Sequence, residues 1–342
     1  MSRPPLLIPD NFTLALVGTA ILASVVPCRG NAAMAVNALT NVAVGLLFFL
    51  HGAKLSREAV LAGATHWRLH TLVLASTFVL FPLLGLAFKP LLSPLITPAL
   101  YTGVLFLCTL PSTVQSSIAF TSIAKGNVPA AVCAASASSL IGIFVTPALV
   151  SLVVTHPAAA SRSPWHTVGN IVMQLLVPFV AGQLLRPVIG PWLQRNRRAL
   201  RFVDRGSILL VVYMAFSEAM NEGLWRHTPL TALAGLFLAD GALLGTALVI
   251  TAWMSKRLHF DRADQITIVF CGSKKSLASG IPMAKVIFAS TAVGAVVLPL
   301  MLFHQMQLMV CAALAQRWGA RAARGGTASA DAHPARASRK VN

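Results

Sequence analysis

The sequence predicts an all-α polytopic membrane protein. Ten transmembrane helices form two five-helix repeats, the second inverted relative to the first. Three observations carry this. First, the 342 residues are 56% hydrophobic and 11% charged, with a mean hydropathy of +0.75. Soluble domains carry about 25% charged residues, so this chain cannot cover its own apolar surface and lipid must do so. Second, ten apolar runs approach or exceed the roughly 20 residues that cross a bilayer. Third, the fourth and ninth runs are broken by polar residues, and they hold the same position in each half.

In chain order the runs are 12–28, 36–53, 69–88, 100–124 and 128–153, then 165–188, 206–224, 230–254, 265–288 and 291–315. Residues 1–11 read as an N-terminal cytoplasmic lead, without a cleavable signal. The first repeat takes 12–155 and the second 156–318. The connection 189–205, with Gln194-Arg195-Asn196-Arg197-Arg198, reads as a cytoplasmic linker between halves. The tail 319–342 is rich in Ala, Gly, Ser and Arg with no apolar period, so it is expected to be basic and disordered, its charge touching anionic lipid.

Orientation follows from the basic residues. One side of the predicted membrane collects Arg3, Lys54, Arg57, Arg68 and Lys125, the cluster Arg186 to Arg205, then Lys256, Arg257, Arg262, Arg317, Arg321 and Arg324. The other side holds Arg29, Lys89, Arg162, Arg226 and Lys285. Both termini are therefore expected in the cytoplasm, with the chain spanning a plasma (inner) membrane. This segregation absorbs most of the net charge of +18. A nucleic-acid partner is excluded, because no soluble basic domain bearing aromatic residues carries that charge. Cys28, Cys108, Cys133, Cys271 and Cys311 are scattered and form no CxxC pair, which argues against a disulfide framework, a zinc site or another metal. No nucleophile–base–orienter set or phosphate loop points to an enzyme or a cofactor.

The fourth run carries Pro111-Ser112-Thr113-Val114-Gln115-Ser116-Ser117. The ninth carries Phe270-Cys271-Gly272-Ser273-Lys274-Lys275-Ser276-Leu277-Ala278-Ser279-Gly280. At an offset near 160, Ser116 matches Ser276, and Ile123-Ala124-Lys125 faces Met283-Ala284-Lys285. Five spans is an odd number, so a second copy enters the membrane upside down. Broken spans at corresponding positions of inverted halves point to a transporter binding site at the midplane. The N–H and C=O groups freed by each break need partners. A mid-span charge costs roughly 2.5–3.5 kcal/mol on insertion scales, so chains keep one where it lines a polar cavity or meets a partner.

Lys274 and Lys275 are thus the expected centre of a substrate- or ion-binding site, with Ser273, Ser276, Ser112, Thr113, Gln115, Ser116 and Ser117 as its lining. The plainer readings are snorkelling for the lysines and helix packing for the serines. One lysine can also be structural, bonding freed carbonyls, while the other is functional. Glu218 and Asp240 are intramembrane acids and candidate counter-ions for these lysines. His304, beside Gln305 and Gln307, is the candidate proton relay.

These residues resemble the bile acid:sodium symporter superfamily, in particular its seventh-type branch with bacterial members. The resemblance covers roughly 10–316. It is carried by Leu46-Leu47-Phe48-Phe49-Leu50-His51-Gly52-Ala53-Lys54-Leu55-Ser56, by Asp204-Arg205-Gly206-Ser207, and above all by Phe270 to Pro282. It implies a panel made of the first two helices of each repeat and a core made of the other three. Helices four and nine cross in that core, with substrate between panel and core. It also implies a contrast. Sodium-coupled relatives bind two sodium ions near the crossing, and the matching helix-nine positions are here Phe270 and Lys274. The matching positions on helices four and five are Ser117, Ile118, Ala131 and Ala135. Sodium needs several hard oxygen ligands, and an ammonium there inverts the electrostatics.

The expected function is alternating-access transport of a small organic anion, sterol- or carboxylate-like, without sodium coupling through those sites. The lysine is then either a built-in cation or a group that couples to protons. Two alternatives stay open: a cation/proton exchanger using Lys274 with Asp240 or Glu218, and a non-transporting regulator or scaffold in which lysines and acids pair permanently.

Overall fold

The computed structural model describes residues 11–54, 66–154, 173, 177–221, 229–288 and 293–331. Among these the chain is helical and contains no strand. The elements are α1 Asn11–Val25, α2 Gly30–Lys54, α3 Trp67–Ala75, a π-helical turn Ser76–Leu80, α4 Phe81–Ala87 and α5 Lys89–Leu92. Then come α6 Pro98–Thr109, α7 Gln115–Ile123, α8 Val128–Val153, α9 Val177–Arg195 and α10 Arg197–Asn221. The last are α11 Leu230–Arg257, α12 Arg262–Gly272, α13 Leu277–Ile287 and α14 Val293–Asp331.

Membrane-length apolar stretches among the described residues are Gly30–Leu50, Trp67–Ala87, Val128–Val153, Leu230–Arg257 and Val293–Ala322. Their outward residues, such as Val42, Leu152, Leu238 and Val249, are large, apolar and exposed, as a lipid-facing surface requires. The protein is a multi-pass membrane protein. The fourth and ninth predicted spans are each built from two half-helices, α6 with α7 and α12 with α13. Most of residues 165–176 of the sixth run lie outside the described residues.

Helix starts follow local chemistry. Thr97 accepts from the Leu100 N–H ahead of Pro98, and Asn127 accepts from the Ala130 N–H with Pro129 in the first turn. Asp261 and Ser276 cap α12 and α13 in the same way. Such side-chain caps satisfy the orphan donors of a helix N-terminus.

Two expectations are corrected. The linker 189–205 is helical except at Asn196, because α9 runs to Arg195 and α10 starts at Arg197. Its apolar residues Leu193 and Leu200 are buried against Leu50 and Ala53, so its arginines decorate packed helices rather than a loop. At the other end, α14 continues past the predicted span limit to Asp331. The first part of the expected disordered tail is therefore helical, and 332–342 lie outside the described residues.

The helices pack in two groups. α1, α2, α9 and α10 pack on one another, and the remaining long helices pack around the two breaks. The α2–α9 contact is reciprocal. A Cβ added to Gly52 would strike the Phe179 carbonyl, and one added to Gly182 would strike the Phe49 carbonyl. Glycines here let two backbones touch, the usual device for tight helix pairs in lipid. The groups meet where α10 packs against α13 and α14. Beside that contact lies a crevice of about 370 Å³ between α1, α10 and α14, lined by Val17, Ile21, Phe216, Leu298, Met301 and Gln305.

Candidate functional site

The two breaks lie against each other, and the bonds between them can be followed group by group. A broken helix frees carbonyls that lipid cannot satisfy. Pro111 has no N–H, and α6 stops at Thr109, leaving the last carbonyls of α6 without intrahelical donors. Lys275 Nζ donates to the Cys108 and Leu110 carbonyls at 2.8 Å each. Thr146 Oγ1 donates to the Thr109 carbonyl at 2.9 Å. The Pro111 carbonyl takes the backbone N–H of Ser276 at 2.9 Å.

Lys275 has a third acceptor, the Thr77 carbonyl at 2.7 Å, and its origin is also a proline. In the π-helical turn the Phe81 N–H bonds back five residues to the Ser76 carbonyl. In that register the donor for Thr77 would be residue 82, which is Pro82. Its carbonyl is free for that reason. The Phe81 ring lies 4.2 Å from the same ammonium, an attractive cation–π contact.

The ninth-span break is satisfied from the other side. Ser112 Oγ donates to the Cys271 carbonyl at 2.5 Å and Ser117 Oγ to the Phe270 carbonyl at 3.0 Å. The Ser138 hydroxyl of α8 accepts the Ser112 N–H at 3.0 Å. Gln307 of α14 grips the Lys275 residue by both backbone groups. Its Oε1 accepts the N–H and its Nε2 donates to the C=O, each at 2.9 Å. The same Nε2 lies 2.8 Å from His304 Nδ1.

The predicted site residues therefore divide. Lys275, Ser112, Ser117 and Ser276 close the breaks, with Ser276 also capping α13. Ser273 donates to the Val269 carbonyl of its own helix at 2.6 Å. Lys274 stands apart: it is fully buried and donates to Ser116 Oγ at 3.3 Å. Ser116 in turn donates to Thr113 Oγ1 at 3.4 Å. The Phe120 and Phe270 rings flank the Lys274 ammonium at 4.5 and 5.7 Å, and Trp318 packs on Phe270 at 5.2 Å. Gln115 is exposed at the start of α7.

The acids do not serve these lysines. Glu218, expected as a counter-ion for Lys274 or Lys275, pairs instead with Lys285, which reaches its two carboxylate oxygens at 2.6 and 2.8 Å. Asp240 is buried with neither oxygen bonded. Among the described residues no carboxylate pairs with Lys274 or Lys275, so the pairs required by the exchanger and scaffold readings are not formed. His304 reaches the break through Gln307. Gln307 was named only as a neighbour of His304, and Phe120 and Ser138 carried no expectation. The spacing of His304 and Gln307, three apart on one helix face, was the available signal for the first. Ser117 bonds a backbone carbonyl, and Ala131 and Ala135 are buried.

The model of the SBF-like CPA transporter family matches residues 10–320, which takes in both broken helices. The chain belongs to that family. The SBF-like members are transporters, so this protein is a secondary transporter of the membrane and not an enzyme. An uncharacterized protein of Pseudomonas aeruginosa is 62% identical over 321 residues, 94% of this chain and 96% of its own. The Escherichia coli protein YfeH is 54% identical over 310 residues, 90% and 92% of the two chains. Sodium/bile acid cotransporter 7 of Rattus norvegicus is 29% identical over 273 residues, 79% of each. An SBF-like transporter moves a small solute.

Proposed function

We propose that the protein moves a small organic anion by alternating access, without sodium at the positions that bind it in sodium-coupled relatives. The observation that carries this is Lys274. Its ammonium is buried where those relatives have an oxygen ligand, and its polar contact is the Ser116 hydroxyl. A fixed positive charge there does the electrostatic work of a bound cation and leaves an attraction for an anion. The half-helix N-termini at Gln115 and Leu277 add partial positive charge. On this reading Lys275 is structural, Lys274 and Ser116 hold the anion, and Thr113 and Gln115 border its path. Ser112, Ser117, Ser273 and Ser276 keep the half-helices in register.

The architecture that goes with this function is a ten-helix inverted repeat, its halves at 12–155 and 156–318. α1, α2, α9 and α10 form the panel, and the other helices form the core. The crevice of about 370 Å³ between α1, α10 and α14 has the size and apolar lining for the body of an amphipathic anion. The basic residues favour an inner membrane with both termini cytoplasmic.

The test is uptake of taurocholate, an amphipathic organic anion, into proteoliposomes with and without a sodium gradient. The expected result is uptake that ignores sodium and disappears in Lys274→Met while that variant stays folded. Strictly sodium-driven, saturable uptake overturns the reading.

A further inference from the structure

We propose that Asp240 is a proton-binding site, and that it takes up and gives back the proton accompanying transport. This deepens the function proposed above and rests on it: with no sodium at those positions, a proton can serve as the coupling ion.

The inference starts from geometry. Asp240 lies in the middle portion of α11 and is fully buried. Its helix neighbours Leu236, Ala239, Leu243 and Leu244 all belong to the main apolar cluster. Next to it, Gly241 faces the Met306 methyl of α14. Neither carboxyl oxygen has a hydrogen-bond partner. The intramembrane cations are engaged elsewhere: Lys285 holds Glu218, Lys275 holds three carbonyls, and Lys274 holds Ser116.

The elements packed on α11 offer little to balance a charge. The π-helical turn and α4 carry no titratable side chain. α12 carries Arg262, exposed at its start, with Asp264 and Cys271, and α14 carries His304 and Cys311 on the described part of its buried length. From α6, Cys108 lies close enough to feel both Asp240 and Lys275. A neutral thiol is no counter-ion.

A carboxylate left unpaired in such surroundings costs several kcal/mol, and a bound proton removes that charge. Asp240 therefore has the property wanted of a carrier: its protonated form fits the dry site, and its ionised form is tolerated once water reaches it. The step balances simply. A carboxylate oxygen gains one proton from the aqueous side that wets it and loses the same proton to the other.

Infrared difference spectroscopy of the purified full-length protein tests this without a substrate. The expected result is a protonated-carboxyl C=O band that converts to carboxylate as pH is raised, and that is lost in Asp240→Asn. A band that does not titrate, or that persists in Asp240→Asn, overturns the proposal. Proteoliposomes supply the second measurement. Taurocholate uptake driven by an imposed pH gradient should be lost in Asp240→Asn and restored in part by Asp240→Glu. Equal pH-driven uptake by wild type and Asp240→Asn also overturns it. If the wild type moves no taurocholate while the band behaves as expected, the substrate reading fails and the proton site stands.

Discussion

Replacing Lys275 by Met tests the division of labour between the two adjacent lysines. The ammonium bonds the carbonyls of Thr77, Cys108 and Leu110 at 2.7, 2.8 and 2.8 Å. Each carbonyl left without a donor in a buried site costs about 1–3 kcal/mol, so three of them set an upper bound of about 9 kcal/mol. Losing the ring contact with Phe81 removes up to about 2 kcal/mol more. Against this, Met lifts the desolvation penalty of a buried charge, which is several kcal/mol. The net expectation is a loss of about 3 kcal/mol. At roughly 2–4 °C per kcal/mol for chains of 150–250 residues, Lys275→Met should unfold at least about 5 °C below wild type. Lys274→Met gives up one bond of 3.3 Å and two ring contacts while shedding the same kind of buried charge, so its unfolding temperature should stay near or above that of wild type. Thermal unfolding of the detergent-purified proteins, followed by tryptophan fluorescence, measures both. If Lys275→Met is as stable as wild type, or Lys274→Met is the more damaged, the assignment of roles is wrong.

Ser112→Ala removes the hydroxyl that bonds the Cys271 carbonyl and should cost about 1–3 kcal/mol, read as a lower unfolding temperature by the same fluorescence. Gly52→Ala and Gly182→Ala each push a methyl into a backbone carbonyl of the partner helix. Each should destabilise by about 1–3 kcal/mol, and the double variant should fall short of the sum because both act on one contact. Lys285→Met strands Glu218, which is partly exposed. Its expected loss is about 1–2 kcal/mol, below the 3–5 of a fully buried pair, and Glu218→Gln in the same background should recover most of it in the same melting experiment.

The breaks were legible because a polar run inside an apolar span has few physical explanations. Pro111, followed by a stretch of serines and a threonine, and the Gly272–Ser276 segment mark both places where the structure leaves the helix. The role of Lys275 was legible only as a possibility, since one of its acceptors depends on Pro82, far away in the chain, and on a local π-helical register that no periodicity announces. Glu218 was assigned the wrong cation because Lys285 counts as a loop-side charge for orientation, while its long stem lets it reach an acid within the bundle. The stretch 189–205 misled for a related reason. Its arginines resemble a loop, yet Leu193 and Leu200 sit seven apart, two helical turns, and both are buried.

Adjacency of Lys274 and Lys275 is itself informative. Residues 274–276 are not helical. Lys275 enters the carbonyl cage of the broken fourth span, and Lys274 is turned toward Ser116 and the aromatic faces. Two positive charges that would repel in a helix are thus separated by the backbone they share. The arrangement also couples them mechanically. Gln307 holds the Lys275 peptide groups, which ties α14 to the backbone that carries the Lys274 ammonium.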